Sequence, residues 1–478
     1  MRRADVLIYG ASGFTGKWIA RRIAGHVRDG TITSYALGGR SAERLAELRS
    51  DLLSEGFPAP MCESIADTKD DVELEALASR TRLLINAVGP FRLHGESVVR
   101  ACITAGCDYL DISGEPYFLE LIAARFNSLA IEKGVLIIGA AAFDCVPAEL
   151  GVNIASAELR KRGFLPTSVL GFLSLSSTGG HRIRGHFATY ESAVLGLGGV
   201  DELKRLRAEN NNNNNGMATT TTYGGSLVAS PDGVSIRKSI FWSKETKQYA
   251  LPFPGADASV VRRTASHAAQ VKGQIPVAFN AFMTLPSFHS LALMLFYGTI
   301  FSVFSRFHFG RSLLLRFPAF FSAGIFSHTG PSRDEIAAAR FKYKFIAIGH
   351  TAEETAIVLA SPRRKGVTAA AAAVPAATTC KNLPPATVRG VVEISGPEPG
   401  YDATSTIVAA ITVTILKHRS TLPSGVHTPG TIFTADSLAT NDLLKTLALG
   451  DVRVSTLEEP HIIVRTTTTS DNDHSRTR

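Results

Sequence analysis

In the first third of the chain, apolar residues come in short continuous runs rather than alternating with polar ones. Ala4–Tyr9 (ADVLIY), Ser34–Leu37 (SYAL), Leu83–Val88 (LLINAV) and Val135–Gly139 (VLIIG) are such runs. A strand buried on both faces has this look. Met61–Ala66 and Asp108–Ile112 supply two further short strands. Between them the period becomes helical over Thr15–Ala24, Ser41–Leu53, Asp70–Ser79, Glu96–Ala105 and Tyr117–Lys133, with apolar and polar faces set apart. Repeated strand–helix units with short connections predict an α/β fold with a doubly wound parallel sheet over residues 1–150. From Ser168 the texture changes. Val169–Ser177, Ser226–Ala229, Gly233–Ile240, Phe341–Gly349, Glu354–Ala360 and Thr387–Ile394 read as strands in a Ser-, Thr- and Gly-rich background. They predict a second, α+β domain over 151–395 on a mostly antiparallel sheet. Asn210–Asn215 and Thr219–Thr222, within 210–222, are low-complexity insertions expected to form a disordered loop, as is Thr368–Thr379. Ser405–Lys417 is a strongly apolar helix, Val426–Gly430 a turn, and 461–478 a polar, disordered tail.

The first strand runs straight into GASGFTG, with glycines at Gly10, Gly13 and Gly16. Strand, glycine turn and helix together offer backbone N–H groups and the positive end of a helix dipole to an anion. Glycine lets the backbone approach a pyrophosphate with no Cβ in the way. The spacing is G-x-x-G-x-x-G, and alone it equally suits any sharp strand-to-helix turn. The second strand adds information. An NAD site places an acidic residue about 20 residues beyond the glycines to hold the ribose 2′-hydroxyl. Here no acid ends that strand, and Arg40 and Ser41 stand there instead. A guanidinium and a hydroxyl suit a 2′-phosphate, so the expected cofactor is NADP(H) in a Rossmann-type domain.

The segment 282–326 has a different composition. It holds 11 of the 26 Phe, and from Ala258 through Arg333 there are seven basic residues and no acidic one. Leu285–Phe304 is just long enough to span a bilayer, yet it contains Pro286, His289 and several serines. Three readings remain: a marginal span, an interfacial element whose arginines meet anionic headgroups, or a buried helix pair lining the second domain. The interfacial one fits the mixed composition best.

Composition narrows the function classes. The 478 residues suffice for two or three domains. The excess of 50 basic over 42 acidic residues is not gathered into a basic run with interleaved aromatics, which argues against nucleic acid as a partner. The five cysteines have neither CxxC nor zinc spacing and read as reduced thiols of a cytoplasmic protein, with no metal expected. The first strand begins at once, leaving no room for a signal peptide.

Taken together, GASGFTG (Gly10–Gly16), NAVGPFRLHGESVVRAC (Asn86–Cys102), DYLDISGEPYFLE (Asp108–Glu120), GAAAFDCVPAELG (Gly139–Gly151) and GPEPGYDATS (Gly396–Ser405) resemble the saccharopine dehydrogenase-like oxidoreductases. That family includes the trans-acting enoyl reductases of bacterial lipid synthesis. The resemblance covers all but the insertions and the tail. It implies an NADP(H)-binding Rossmann domain, a mixed second domain, and C-terminal helices in 396–460 that return to the first domain. Carried over by position, Gly10, Ser12, Gly13, Phe14, Thr15 and Gly16 would form the phosphate loop. Arg40 and Ser41 would meet the ribose phosphate, and Asn86, Gly89, Pro90 and Phe91 would lie toward the nicotinamide. Eukaryotic relatives associate with lipid droplets and membranes.

The proton donor is not identified by the sequence. Asp111, Ser113–Glu115, Asp144, Cys145, Glu149, His94 and Tyr401 are the candidates, each with an ordinary structural alternative. The expected function is hydride transfer from NADPH to a C=C or C=N bond of an apolar, lipid-type substrate. The expected partners are a membrane or lipid-droplet surface, met through 282–326, and a second copy of the chain in a homodimer. Two rivals stand beside it. Saccharopine dehydrogenation would need a basic clamp such as His181, Arg182 and Arg184 for several carboxylates. A lipid-surface protein that binds nucleotide without turnover would need no proton donor at all.

Overall fold

The computed structural model describes residues 3–213, 239–351, 353–354 and 387–462. The expected strands Ser226–Ala229, nearly all of Gly233–Ile240 and all but the start of Glu354–Ala360 lie outside these residues, as do Thr219–Thr222, Thr368–Thr379 and 463–478.

Strands β1 (Ala4–Tyr9), β2 (Tyr35–Gly39), β3 (Glu63–Ile65), β4 (Thr81–Asn86), β5 (Asp108–Asp111) and β6 (Leu136–Ile138) form a parallel sheet. Helices α1 (Phe14–Arg28), α2 (Ala42–Ser54), α3 (Asp71–Ala78), α4 (Phe91–Ala105) and α5 (Pro116–Glu132) connect them. The order β6-β5-β4-β1-β2-β3 reverses direction between β4 and β1. Ligands of doubly wound sheets sit at such a reversal, beyond the carboxyl ends of the strands. A seventh strand comes from far along the chain: β15 (Gly425–His427) pairs in parallel with β6. The sequence predicts only a turn there, over Val426–Gly430. Three residues between Pro423 and Pro429 carry no strand signal of their own, and the open edge of β6 makes the strand.

The second sheet has β7 (Leu165–Ser177), β9 (Phe241–Ser243), β10 (Gln248–Pro252), β11 (Ala278–Leu285), β13 (Ala339–His350), β14 (Val388–Pro397) and β16 (Arg453–Ile462). Its pairs are antiparallel except for β7 with β11. The two-residue strands β8 (Gly185–His186) and β12 (Phe326–Ser327) form a separate parallel pair.

Helix α6 (Val146–Lys161) joins the sheets. A Cβ on Gly151 would lie 2.2 Å from the Phe345 ring of β13, so only glycine lets the helix come this close. Thr404–His418 is buried nearly all round and packs against α1, whereas Arg453–Ile462 goes to the edge of the second sheet. One apolar core therefore runs unbroken from Ile8, Ile19 and Leu45 through Val146, Leu150 and Ile407 to Phe341 and Phe345. Further helices are α7 (Phe187–Gly198), α8 (Val200–Asn213), α9 (Asp257–Lys272), α10 (Phe288–Phe304), α11 (His308–Arg316) and α12 (Pro318–Phe321), with others at Arg333–Ala338, Pro429–Ile432 and Leu438–Leu449. Because α8 extends to Asn213, the first four residues of the Asn run are helical rather than loop.

No helix among the described residues is long and apolar enough to cross a membrane. The buried helix pair does not occur either. Over its 17 residues α10 buries only Leu291, while Phe288, Phe296, Phe309, Phe317 and Phe320 stand exposed on α10–α12 and their connections. The segment is anchored by one small cluster, in which Tyr190, Val194 and Leu314 meet Phe301, Phe304 and Phe326.

Candidate functional site

The glycine turn is built as a cradle. Gly10 has φ +83° and donates its N–H to Gly38 O at 2.9 Å, and Gly13 N donates to Gly10 O at 3.0 Å. A Cβ on Gly16 would stand 2.1 Å from Gly10 O, so the first turn of α1 sits directly on the end of β1. Gly13 caps α1 without a side chain, and no acid occupies the first turn. A helix N-terminus left uncapped and glycine-lined fits the pyrophosphate of a dinucleotide. Ser12 lines the same turn, with its Oγ 3.8 Å from where a Cβ on Gly39 would be. Thr15, in the first turn of α1, is half-buried.

Phe14 has a different role from backbone cradling. Its ring stacks on His186 at 4.8 Å and meets Tyr401 edge-on at 4.7 Å. Tyr401 is buried, and its hydroxyl accepts the His186 N–H at 2.6 Å. The glycine turn is thus clasped by residues more than 170 positions away. His186 had no signal in the sequence, because only the β8–β12 pairing brings it there. Tyr401 is a structural contact of this clasp and not an accessible acid.

Arg40 is exposed at the carboxyl end of β2. It lies near His94, whose pKa is lowered by burial and then by the Arg40 charge. His94 in turn meets Thr68 Oγ1 at 3.1 Å. His94 therefore lies at the Arg40 end of the site. Ser41 caps α2, accepting from Arg44 N at 3.3 Å and donating to Glu43 at 2.9 Å. Its hydroxyl is already engaged, which leaves Arg40 as the group free to meet a phosphate.

Beyond β4 the predicted residues divide. Gly89 is exposed in the turn and faces Ser192 of α7, and Pro90 is the buried cap of α4. Asn86 instead points into the fold: its amide donates to the Tyr109 hydroxyl at 3.1 Å and accepts from Val88 N at 3.0 Å. Phe91 is buried against Phe118. Helix α4 starts five residues before the expected Glu96, because the Glu115 carboxylate accepts the N–H groups of Phe91 (2.8 Å) and Arg92 (3.0 Å). A carboxylate from the next loop thus caps the helix, favourably placed at the positive end of its dipole.

The other acids sort in the same way. Asp111 is buried and accepts from Ser113 N and Ala140 N, both at 2.9 Å, and burial pushes its pKa up to about 6. It fastens the β5 and β6 loops together. Ser113 is buried there too, and its hydroxyl accepts from Glu115 N at 3.2 Å. Cys145 is fully buried at the start of α6, where burial pushes its thiol well up. Glu149 is buried with Thr264 Oγ1 2.8 Å from both its oxygens, and burial raises its pKa to about 8. A carboxyl kept neutral in the native state loses stability as pH climbs from its unfolded pKa, near 4.5, through about 8. Glu149→Gln should abolish that decline. Thermal melts at about pH 9 should show the variant more stable than wild type, by on the order of 3 kcal/mol, with little difference near pH 4. Equal pH dependence in both would show that Glu149 is ionised in the fold.

Asp144 behaves otherwise. It is exposed, in the loop after β6, yet crowding protein raises its pKa through desolvation. Of the three residues considered for a basic clamp on a multiply charged substrate, Arg184 is paired with Glu335 at 3.2 Å.

The comparisons with known proteins agree with this geometry. The family profile described as the saccharopine dehydrogenase NADP binding domain matches residues 6–138. A probable mitochondrial saccharopine dehydrogenase-like oxidoreductase of Arabidopsis thaliana is 33% identical over 456 residues, covering 90% of this chain and 92% of its own. A lipid droplet localized protein of Caenorhabditis elegans is 31% identical over 439 residues, covering 91% and 94%. The solved saccharopine dehydrogenase (L-Glu forming) of Saccharomyces cerevisiae superposes with a TM-score of 0.53 at 11% identity, over 95% of this chain and all of the other, which speaks for the fold alone. The chain belongs to the saccharopine dehydrogenase-like oxidoreductases and is an NADP(H)-binding oxidoreductase.

Proposed function

We propose that this protein reduces a C=C or C=N bond of a lipid-type substrate at a membrane or lipid-droplet surface. The single observation that carries the reading is the exposed phenylalanine face of α10–α12. Soluble monomers rarely leave contiguous apolar surface of this kind uncovered, and such patches mark partner or membrane contacts. Arg306 and His308 stand exposed among these rings, and the Arg316 guanidinium lies 5.7 Å from the centre of the Phe317 ring. Exposed phenylalanine with interspersed cations suits an anionic lipid surface. The same segment leads through β12 to Gly330, where a Cβ would touch Phe14 of the phosphate loop, so a substrate drawn from the surface enters beside the cofactor. NADPH, when bound, supplies the hydride. The glycine cradle and Arg40 would hold it, with α7 alongside, where Ser192 Oγ lies 3.8 Å from the position of a Cβ on Gly89.

The worm relative's name supports a droplet surface. The Arabidopsis relative's name points to a mitochondrion, and the same apolar, basic face suits a lipid surface in either place. The competing occupant of the face is a second copy of the chain.

The test is NADPH oxidation by the full chain with enoyl and imine lipids in anionic vesicles, beside saccharopine in solution. Turnover is expected only with the vesicles. Phe309→Glu with Phe320→Glu should cut vesicle binding at least about 100-fold, since each buried phenylalanine contributes about 1.5–3 kcal/mol. Turnover with saccharopine alone, or a double variant that only converts a dimer to a monomer, would overturn the reading.

A further inference from the structure

Three turns line the carboxyl ends of neighbouring strands on the nicotinamide side of the reversal point. They hold Gly89 after β4, Gly114 after β5 and Asp144 after β6. Among the acids raised by the sequence (Asp111, Glu115, Asp144 and Glu149), only Asp144 is exposed. It lies directly against the neighbouring turn: a Cβ on Gly114 would stand 2.4 Å from Asp144 Oδ2, so a side chain there would displace the carboxyl. Its neighbours fix the loop from the second sheet's side. Phe143 packs edge-on against Phe341 of β13 at 4.7 Å, and Cys145 is buried as the N-cap residue of α6. The Asp144 carboxyl thus stands beyond the carboxyl ends of the strands, in a loop held against the second sheet, on the side of the reversal point away from β2 and Arg40. Glu115 and Asp111, one turn away, are consumed by backbone N–H groups and cannot deliver a proton.

We propose that Asp144 is the proton donor of this site. The inference rests on the reductase reading above. In the step it describes, one carbon of the C=C or C=N bond takes the hydride, with its electron pair, from NADPH. The π pair moves to the neighbouring atom, and the Asp144 carboxyl gives that atom its proton. The products are the saturated bond, NADP+ and the Asp144 carboxylate, which regains a proton from solvent through its exposed face. The raised pKa, caused by the surrounding protein, keeps the acid form available nearer neutrality than a surface aspartate would.

The experiment compares the full-length wild type with Asp144→Asn and Asp144→Glu, using two readouts. The first is the ratio of NADP+ to NADPH affinity at mildly alkaline pH, which needs no turnover. A carboxylate beside the nicotinamide favours the cationic oxidised ring over the neutral reduced one. Asp144→Asn should therefore bind NADPH as wild type does and lose roughly tenfold in NADP+ affinity, with Asp144→Glu restoring part of it. The second is NADPH oxidation with the vesicle-borne enoyl and imine lipids, which Asp144→Asn should slow by about 100- to 10,000-fold. An unchanged affinity ratio overturns the proposal whatever the rate does, because activity lost with a distant carboxylate reflects positioning. Wild-type turnover in Asp144→Asn overturns the donor role alone. A wild-type chain that oxidises NADPH with none of the lipids overturns the reductase reading and the donor role with it, while the ratio still reports whether Asp144 borders the ring.

Discussion

Gly16→Ala should abolish useful NADPH binding while leaving a folded but weakened protein. The added methyl would stand 2.1 Å from Gly10 O and 2.9 Å from Ala11 O. Both are backbone atoms of the turn, and Gly10 is itself held by its N–H bond to Gly38 O. The strain cannot be relieved by a side chain swinging away, so the first turn of α1 must lift off the end of β1. Overpacking of this kind costs about 1–3 kcal/mol of stability. The larger effect falls on the ligand, because the N–H groups that would hold the pyrophosphate move together, and about 100-fold in affinity is expected. Gly25, on the same helix, is the control: a Cβ there meets nothing closer than Phe57 at 3.9 Å. Gly25→Ala should leave binding unchanged and stabilise the helix by about 0.5–1 kcal/mol. Titration and thermal melting of both variants read the two effects separately. Wild-type affinity in Gly16→Ala would mean that the turn is architectural only.

Arg40→Ala should remove the preference for the phosphorylated cofactor. Arg40 is exposed at the end of β2, and Ser41 beside it is occupied by its cap and Glu43. Charge-assisted bonds to a phosphate contribute about 1.5–3 kcal/mol, so NADPH affinity should fall by roughly 10- to 100-fold. NADH, which lacks the 2′-phosphate, should bind the variant as it binds wild type. A parallel fall for both cofactors would place Arg40 outside the ribose-phosphate site and mean that its loss disturbs the loop in general.

What the sequence revealed, and what it hid, follows the range of the interactions. The β1–glycine–α1 unit is decided by residues within a few positions of one another, and its pattern survives in the one-dimensional text. So are the caps of α2 and α3, where Ser41 and Asp70 accept N–H groups three residues on. Asn86 and Phe91 were legible as residues at the end of β4 but not as buried ones. Their side chains turn inward because Tyr109 and Phe118 wait there, from the next strand and helix. The early start of α4 depends on Glu115, and the clasp on Phe14 depends on His186 and Tyr401, all supplied from other elements. The strand Gly425–His427 exists through its pairing with β6. The phenylalanine segment shows the converse case. Its composition announced an unusual surface, but only the packing shows that a single buried leucine serves all of α10.

The most direct test of the account is a titration of the purified full-length protein with NADPH and with NADH, followed by the change in nicotinamide fluorescence. The account predicts saturable NADPH binding at least about tenfold tighter than NADH binding, the margin expected of one well-placed guanidinium. Equal affinity for the two, or binding of neither, would contradict it.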